Sequence, residues 1–317
     1  MALHAPSTLL STVKGDNSQM RALVTGGAGF FGSHIVDALR ARGDDVVALD
    51  DLSTGDRANL DPGVPLIVTD ISDREAVRDR LAGERFDAVV HAAAKTKVVE
   101  SVAQPALYHR VIVNGTSNAL DVAQLSGATR FVNISTGGAL YGETPQCATE
   151  ESPIEAPSPY GRYKAEAERL ASSTPGLPAI TLRFANIYGP RQRTDLEGGV
   201  IAIFAGAWKR GVPLMIYGDG SAERDYLYVA DAVAAILAAV DGGATGSYNI
   251  GTGVATSVND LVAQLTALLG PPKGVVRAAE RAGELQRSCL DSSKAARERL
   301  WRFSVPLAEG LRRTVAA

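Results

Sequence analysis

Residues 25–32 read Thr-Gly-Gly-Ala-Gly-Phe-Phe-Gly and join two segments of different hydrophobic pattern. Residues 22–24 are apolar and are typical of a short buried strand, whereas residues 33–41 have the spacing of an amphipathic helix. Three glycines at every third position form a GxxGxxG motif: Gly26, Gly29 and Gly32. Glycine permits a tight turn and a close approach of the backbone to a ligand, and the N–H groups of a helix N-terminus attract phosphate. The stretch therefore predicts a strand–turn–helix unit that binds a pyrophosphate.

Short apolar strands and helical stretches alternate along the chain after residue 20. The predicted strands are residues 22–24, 45–49, 66–68, 88–90, 131–134 and 180–184. The predicted helices between them are residues 33–41, 74–81, 117–124 and 161–171. This order indicates an α/β fold in which a doubly wound parallel sheet is covered by helices on both faces.

Three parts are predicted along the chain. Residues 1–19 form a mobile N-terminal tail, residues 20–185 a dinucleotide-binding Rossmann domain, and residues 186–317 a smaller C-terminal lobe that binds the substrate. Within the lobe we predict helices at 200–209 and 229–240, a strand at 213–217, and a capping box at Ser257 and Asp260 that begins another helix. A strand at 247–250 is expected to return to the main sheet, so that part of 226–253 rejoins the first domain.

Composition excludes several classes of protein. Apolar residues make up 45% and charged residues 21% of the chain, which is typical of a globular enzyme. The net charge of −3 gives no basic field for nucleic acid or an anionic membrane surface. The longest uncharged apolar run, residues 232–240, is far shorter than the roughly 20 residues needed to cross a bilayer. We therefore predict neither a nucleic-acid partner nor a membrane partner.

The cysteines and histidines show no pattern of a cross-link or a metal site. Cys147 and Cys289 are far apart in the sequence and form no CxxC pair, and the four histidines lack the spacing of metal ligands. This predicts a chain without a disulfide and without a metal, located in a reducing cytoplasm.

Acidic residues end the second and third predicted strands. Asp50 lies where a carboxylate can accept hydrogen bonds from the hydroxyls of an adenosine ribose. Because a carboxylate there repels a 2′-phosphate, NAD is favoured over NADP. Asp70 and Ile71 follow the third strand, where they can meet the adenine ring.

A second motif carries candidate catalytic groups. Tyr160 and Lys164 form YxxxK, and residues four apart lie on one face of a helix. Tyrosine has a reference pKa of about 10, and we expect the nearby ammonium and a cationic nicotinamide ring to lower it toward neutrality. A second hydroxyl is expected from the end of the fifth strand, where Ser135 and Thr136 are found.

These motifs together resemble one enzyme family. The segments TGGAGFFG (25–32), DDLSTG (50–55), HAAAK (91–95), SPYGRYK (158–164) and LRFANIYGPRQR (182–193) are similar to the UDP-glucose and UDP-glucuronate 4-epimerase branch of the extended short-chain dehydrogenases. The resemblance covers roughly residues 20–301 and implies NAD as the cofactor, a UDP-sugar as the substrate and a homodimer.

The resemblance and the motifs together assign the site residues. The predicted cofactor-binding residues are Gly26, Gly29, Phe30, Phe31, Gly32, Asp50, Asp51, Ser53, Thr54, Gly55, Asp70, Ile71, Ala92, Ala93, Ala94, Lys95, Tyr160 and Lys164. The predicted substrate-binding residues are Thr136, Asn186, Arg193, Val200, Tyr217, Arg224, Arg281 and Glu284.

Two departures from the family pattern affect these assignments. Gly137 occupies a position where a serine is common, so the catalytic hydroxyl is assigned to Thr136, with Ser135 as the alternative. Ile112 occupies the position of a usual asparagine, so no contact is carried over to it.

The expected activity is NAD-dependent 4-epimerisation of UDP-glucuronate to UDP-galacturonate, through transient C4 oxidation, rotation of the 4-keto sugar and return of the hydride. Arg193 favours UDP-glucuronate, because in similar epimerases this arginine faces the sugar carboxylate, whereas the segment 198–200 is typical of UDP-glucose 4-epimerases. Three alternatives stay open: a UDP-glucose 4-epimerase, a UDP-glucuronate decarboxylase and a non-catalytic NAD(H)-sensing protein. Gly138 and Ala139 stand where a 4,6-dehydratase carries its acid–base pair, which opposes that activity.

Overall fold

The computed structural model describes residues 19–194, 199–280 and 285–317. The strands are β1 (Arg21–Thr25), β2 (Asp45–Asp50), β3 (Leu66–Val68), β4 (Ala88–His91), β5 (Arg130–Thr136), β6 (Ala179–Phe184), β7 (Asn186–Tyr188), β8 (Leu214–Tyr217), β9 (Glu223–Tyr228), β10 (Gly246–Ile250), β11 (Ala255–Ser257), β12 (Val275–Ala278) and β13 (Arg287–Ser288). The helices are α1 (Phe30–Ala41), α2 (Arg74–Arg80), α3 (Val98–Ala103), α4 (Pro105–His109), α5 (Gly115–Ser126), α6 (Gly138–Tyr141), α7 (Pro159–Ser173), α8 (Val200–Arg210), α9 (Val229–Asp241), α10 (Val258–Leu269), α11 (Ser293–Arg297) and α12 (Leu307–Val315). The predicted tail lies almost wholly outside the described residues.

Seven parallel strands form the central sheet, in the order β10-β6-β5-β4-β1-β2-β3. The chain runs outward from β1 through β2 to β3, and then returns to place β4 on the other side of β1. The carboxyl ends of β1 and β4 therefore flank a topological switch point, where ligands bind in folds of this kind. The predicted α/β class is confirmed, and β10 joins the sheet beside β6 as expected.

The strands of this sheet are apolar because both faces are covered. Ala22, Leu23 and Val24 of β1 are fully buried, and a strand buried on both faces carries a continuous apolar run rather than an alternation. On one face, α1 packs Ile35 and Leu39 into the same core. This rigid frame fixes the position of every loop at its carboxyl edge.

The C-terminal lobe contains two small sheets that the sequence did not reveal. β9 pairs with β7, β11 and β13, and β8 pairs with β12. Most of these strands have two to four residues, too few for a pattern of alternation to be recognised. The cap of α10 was predicted correctly, because the Ser257 hydroxyl accepts a hydrogen bond from the Asp260 backbone N–H at 3.0 Å.

The prediction of a chain without a disulfide is wrong. Cys147 and Cys289 are bonded, with their Cα atoms 4.5 Å apart although 142 residues separate them in the sequence. The residues that directly follow the two cysteines, Ala148 and Leu290, form a parallel bridge. This bridge brings the segment after α6 against the C-terminal lobe. Because the reducing cytoplasm was inferred from unpaired cysteines, that argument loses its support, and the location stays a prediction.

In the described parts of the chain, no helix has the length and apolar character needed to cross a bilayer. Those same parts contain no cluster of three or more side chains able to hold a metal ion.

Candidate active site

The turn between β1 and α1 requires glycine at two positions. Gly26 has φ +67°, and a Cβ atom there would lie 2.8 Å from the Ala93 backbone nitrogen. A Cβ atom on Gly32 would lie 2.0 Å from the Gly26 carbonyl oxygen. The turn is therefore closed tightly against the segment that follows β4 and against the first turn of α1, and Gly29 is the N-cap of α1. This geometry fits a pyrophosphate that is held by backbone N–H groups and the helix dipole.

A cavity lies at the switch point of the sheet, and most of the predicted cofactor residues line it. They are Gly26, Gly29, Phe30, Phe31, Gly32, Asp50, Asp51, Ser53, Thr54, Asp70, Ile71, Ala92, Ala93, Ala94 and Lys95. The wall also contains residues outside the predicted cofactor set: Leu49, Thr69, Thr96, Val111, Gln192 and Gly199. Leu49, Thr69, Thr96 and Gln192 adjoin predicted residues, whereas Val111 reaches the wall only through tertiary packing. The residues present fit a dinucleotide.

Asp50 connects the glycine turn to this cavity. Its side chain is buried, Oδ2 accepts from the Ala28 backbone N–H at 3.0 Å, and Oδ1 accepts from the Leu52 backbone N–H at 2.8 Å. Burial raises the pKa of Asp50, and these two backbone donors oppose that rise. Gly55 lies against the same carboxylate, since a Cβ atom there would be 2.7 Å from Oδ1. Because a carboxylate has about four acceptor positions, Asp50 retains capacity for ribose hydroxyls.

Asp50→Ala is expected to narrow the preference for NAD over NADP. The wild-type chain should bind NAD much more tightly, because the carboxylate accepts from ribose hydroxyls and repels a 2′-phosphate. A lost charge-assisted hydrogen bond corresponds to about 1.5–3 kcal/mol, or roughly ten- to a hundredfold in the Kd of NAD. Isothermal titration with both nucleotides checks this, and equal affinities in the wild type would contradict the assignment.

The YxxxK motif forms the first two turns of α7. Ser158 caps this helix by accepting from the Gly161 backbone N–H at 3.1 Å, and Pro159 occupies the first helical position, where its missing N–H costs nothing. The side chains of Tyr160 and Lys164 are both buried. Neither side chain lines the dinucleotide cavity.

Thr136, not Ser135, is the hydroxyl paired with the tyrosine. Thr136 is the side chain that favours the ionised form of Tyr160 by hydrogen bonding, and it lowers the pKa of that phenol. Ser135 is buried, and its Oγ has no hydrogen-bond partner among the described residues. Successive side chains of a strand point to opposite faces, so only one of the two can face α7. Lys164 Nζ donates to the Ile134 carbonyl of the same strand at 2.8 Å.

The pKa of Tyr160 is raised in the chain, contrary to the expectation from sequence. Burial raises it to about 12, and the hydrogen bond with Thr136 opposes the rise. Burial likewise lowers the pKa of Lys164 to about 8, against the attraction of Glu168. Desolvation of a buried phenolate thus outweighs the hydrogen bonding of Thr136. That a bound nicotinamide ring lowers the pKa of Tyr160 stays a prediction.

The predicted substrate residues of the lobe lie on several elements. Asn186 begins β7, Val200 begins α8, and Arg224 lies in β9, where its Nη1 donates to the Glu223 carbonyl at 2.8 Å. Tyr217 ends β8, is 40% exposed, and lines a second, small cavity. Arg281 and Glu284 lie outside the described residues.

Arg193 lies at the cavity that the cofactor residues line. Its Nη1 donates to the Thr54 carbonyl at 3.3 Å, and the side chain forms part of the wall together with Gln192. Thr54 belongs to the loop after β2, on the side of the predicted adenosine ribose. Sequence assigned Arg193 to the sugar, and this contact was not foreseen.

Comparison with known proteins agrees with this geometry. The model of the NAD dependent epimerase/dehydratase family matches residues 22–251. The UDP-glucose 4-epimerase of Mycolicibacterium smegmatis is 38% identical over 308 residues, which cover 93% of this chain and 97% of that protein.

Two solved structures extend the comparison. The UDP-glucose 4-epimerase of Thermotoga maritima, crystallised with UDP-glucose, has a TM-score of 0.90 and 39% identity, covering 94% of this chain and 98% of that one. MoeE5 in complex with UDP-glucuronic acid and NAD has a TM-score of 0.84 and 33% identity, covering 93% and 98%. These similarities confirm the predicted fold, NAD as the cofactor, and an enzyme of the NAD-dependent UDP-sugar 4-epimerase type. The chain belongs to the NAD-dependent epimerase/dehydratase family of extended short-chain dehydrogenases.

Proposed function

We propose that this protein interconverts UDP-glucose and UDP-galactose by epimerisation at C4 of the sugar. The observation that carries the proposal is the burial of Tyr160 and Lys164 on one helix that packs on β5, where Lys164 Nζ donates to the Ile134 carbonyl at 2.8 Å. Thr136 at the end of the same strand lowers the pKa of Tyr160. A buried hydroxyl pair of this kind can move a proton on and off a sugar hydroxyl at a fixed position. The similarity to UDP-glucose 4-epimerases over nearly the whole chain supports the choice of reaction.

Each catalytic side chain has a distinct task in this proposal. NAD held by the cavity residues around Gly26 and Asp50 would supply the acceptor and donor of the hydride exchanged with C4 of the sugar. Tyr160 takes the proton of the 4-hydroxyl and gives it back, while Thr136 orients the phenol. Lys164 places a positive charge behind Tyr160. Because the sugar must turn between the two transfers, binding energy belongs on the UDP part of the substrate.

The segment after β5 opposes dehydration as the reaction. Expelling water from the sugar needs an acid–base pair, and Gly138 and Ala139 offer no titratable group. A Cβ atom on Gly138 would lie 2.8 Å from the Ser288 hydroxyl, and one on Gly137 would lie 2.3 Å from Leu290 Cδ2. The space that an acidic side chain would need is already filled.

UDP-glucuronate was the substrate favoured by the sequence, and it is now the second candidate. It is favoured by Arg193 in the GPRQR segment and by the similarity to MoeE5, whose structure holds UDP-glucuronic acid. The contact of Arg193 with Thr54 supports the neutral sugar, because the guanidinium already donates a hydrogen bond on the ribose side of the cavity. The homodimer and the cytoplasmic location stay predictions.

Product analysis tests the proposal. The purified protein is incubated separately with UDP-glucose, UDP-glucuronate and UDP-N-acetylglucosamine, without added nicotinamide, and the products are resolved. We expect UDP-glucose to yield UDP-galactose without net NADH accumulation. Carbon dioxide from UDP-glucuronate would indicate a decarboxylase, and a 4-keto-6-deoxy product from UDP-glucose would indicate a dehydratase.

Arg193→Ala separates the two candidate substrates. If the enzyme acts on neutral hexoses, the variant should change kcat/KM for UDP-glucose and UDP-glucuronate in parallel. If Arg193 binds a sugar carboxylate, the loss for UDP-glucuronate alone should be about ten- to a hundredfold, the value of one charge-assisted hydrogen bond. Steady-state kinetics with both sugars on wild type and variant decides between them, and a wild type that prefers the uronate would overturn the neutral-sugar proposal.

A further inference from the structure

A buried ion pair joins the catalytic helix to the sheet. Glu168 lies one turn after Lys164 and two turns after Tyr160 on α7, so the three side chains share one face. Arg183 of β6 donates to Glu168 through Nε, at 3.1 Å to each carboxylate oxygen, and through Nη2 at 2.6 Å. The two side chains are only 7% and 8% exposed. Neither touches the dinucleotide cavity, and the proposed mechanism uses neither.

The same guanidinium also reaches the segment that follows the catalytic strand. Arg183 Nη1 donates to the Tyr141 hydroxyl at 2.6 Å, and that hydroxyl donates to Asn249 Oδ1 at 2.8 Å. Tyr141 ends α6, which begins two residues after Thr136. A guanidinium presents its donors in a fixed fork, so one side chain sets the position of α7 and α6 relative to each other.

The chain of contacts continues to the C-terminal lobe and returns to the catalytic hydroxyl. Asn249 Nδ2 donates to the Ala148 carbonyl at 2.8 Å, and the Ala148 N–H donates to the Cys289 carbonyl at 2.9 Å. The side chain of Leu290 then fills the space above Gly137, the residue next to Thr136. Contacts therefore run from Glu168 through five elements or segments and end beside the group that pairs with Tyr160.

We propose that Tyr141, together with the Glu168–Arg183 pair, is a positioning device that keeps the Tyr160 hydroxyl in register with Thr136. The inference rests on the proposed epimerase activity and adds to it the residues that hold its two hydroxyls in place. A buried ion pair is weak evidence for stability, because a well-packed apolar pair often stabilises a fold as well. An apolar pair cannot reproduce the guanidinium of Arg183, because its donors point in fixed directions and bond Glu168 on α7 and Tyr141 on α6 at the same time.

The test is the Tyr141→Phe variant, which removes one hydroxyl and leaves the Glu168–Arg183 pair intact. A misplacement of reacting groups by about 1 Å costs on the order of a hundredfold in rate. We therefore expect kcat to fall by about ten- to a hundredfold, while KM and the calorimetric Kd of UDP stay within about twofold of wild type. Tyr248→Phe is the matched control, because Tyr248 is buried next to Asn249 but bonds Glu298 instead. It should keep the wild-type kcat.

A second measurement does not depend on turnover. The ionisation of Tyr160 is followed by phenolate absorbance in the NAD-bound protein, with Tyr160→Phe as the blank. The titratable groups near Tyr160 are Tyr108 on α4 and Tyr163 on α7, which belong to the same packed cluster, Lys164 on the same face of α7, and Glu100 of α3, which bonds Tyr108. Tyr141→Phe leaves all four in place but loosens the Thr136 hydrogen bond, so the pKa of Tyr160 should rise relative to Tyr248→Phe.

The outcomes separate this inference from the proposed function. If the wild type converts no UDP-sugar, the proposed function fails, and the titration alone decides on the positioning device. Arg183→Lys is a second variant, because one ammonium keeps the charge beside Glu168 but lacks the fork, and it should share the effect of Tyr141→Phe. Wild-type kcat and an unshifted Tyr160 titration in Tyr141→Phe overturn the inference, even if the variant melts at a lower temperature.

Discussion

Tyr160→Phe is expected to lower kcat by about 10²- to 10⁴-fold, the usual contribution of one general acid–base group. The phenol hydroxyl is the group that pairs with Thr136, and phenylalanine keeps the ring and removes only this hydroxyl. Burial raises the pKa of Tyr160 to about 12 in the chain alone, so before NAD binds the residue is neutral at pH 7 and the substitution changes no charge in the binding site. Binding of NAD and UDP should therefore persist, and the loss should appear in kcat with little change in KM. Steady-state kinetics and calorimetry measure the two effects separately.

Tyr163→Phe is the control for this variant. Tyr163 lies on the same helix, but its ring packs edge-on against His109 at 5.2 Å rather than against Thr136. Its substitution should leave kcat near the wild-type value. Near-normal activity in Tyr160→Phe would show that another group transfers the proton, and the assignment of Thr136 as its partner would fail with it.

The nucleotide half of the site was readable in the sequence because its signals are local. The strand, the glycine turn and α1 are consecutive, and Asp50 and Asp70 each end a strand that periodicity predicts. A parallel sheet then brings these strand ends to one edge without further information. Residues such as Val111 reach the cavity by tertiary packing, and no local pattern marks them.

Contacts between distant segments could not be predicted for the same reason. Ser135 and Thr136 point to opposite faces of β5. The sequence favoured Thr136 as the partner of Tyr160 but kept Ser135 as the alternative, because it does not show which face of β5 packs against α7. The rise in the pKa of Tyr160 was not foreseen, because the sequence shows which charged residues are nearby but not how deeply the phenol is buried. The lobe was underpredicted because β11, β12 and β13 owe their pairing to the strands beside them rather than to their own few residues.

Reduction of the Cys147–Cys289 bond is expected to lower the free energy of unfolding by about 2–5 kcal/mol. The bond closes a segment of 142 residues, and in the chain-entropy model a loop of that length corresponds to about 5 kcal/mol, whereas removal of native disulfides costs 2–5 kcal/mol. The bond ties the segment after α6 to the segment after β13, so in the unfolded chain it restrains parts that belong to both halves of the molecule. Denaturant unfolding of the wild type with and without a strong reductant measures the difference.

Cys147→Ser is the matched variant for that measurement, because Cys147 is half-buried whereas a hydroxyl at the buried Cys289 would itself be destabilising. Its stability should equal that of the reduced wild type and should not respond to reductant.

Catalysis is expected to survive reduction well below the unfolding transition, because the Ala148 N–H still donates to the Cys289 carbonyl and the Asp291 N–H to the Ala148 carbonyl, at 2.9 and 2.8 Å. These two backbone bonds hold Leu290 over Gly137 without the sulfur bridge. Two free thiols in protein purified without reductant, with no change of stability on adding it, would contradict the cross-link. A loss of kcat on reduction at full folding would instead show that the covalent bond, and not the backbone bridge, holds Leu290 beside the catalytic hydroxyl.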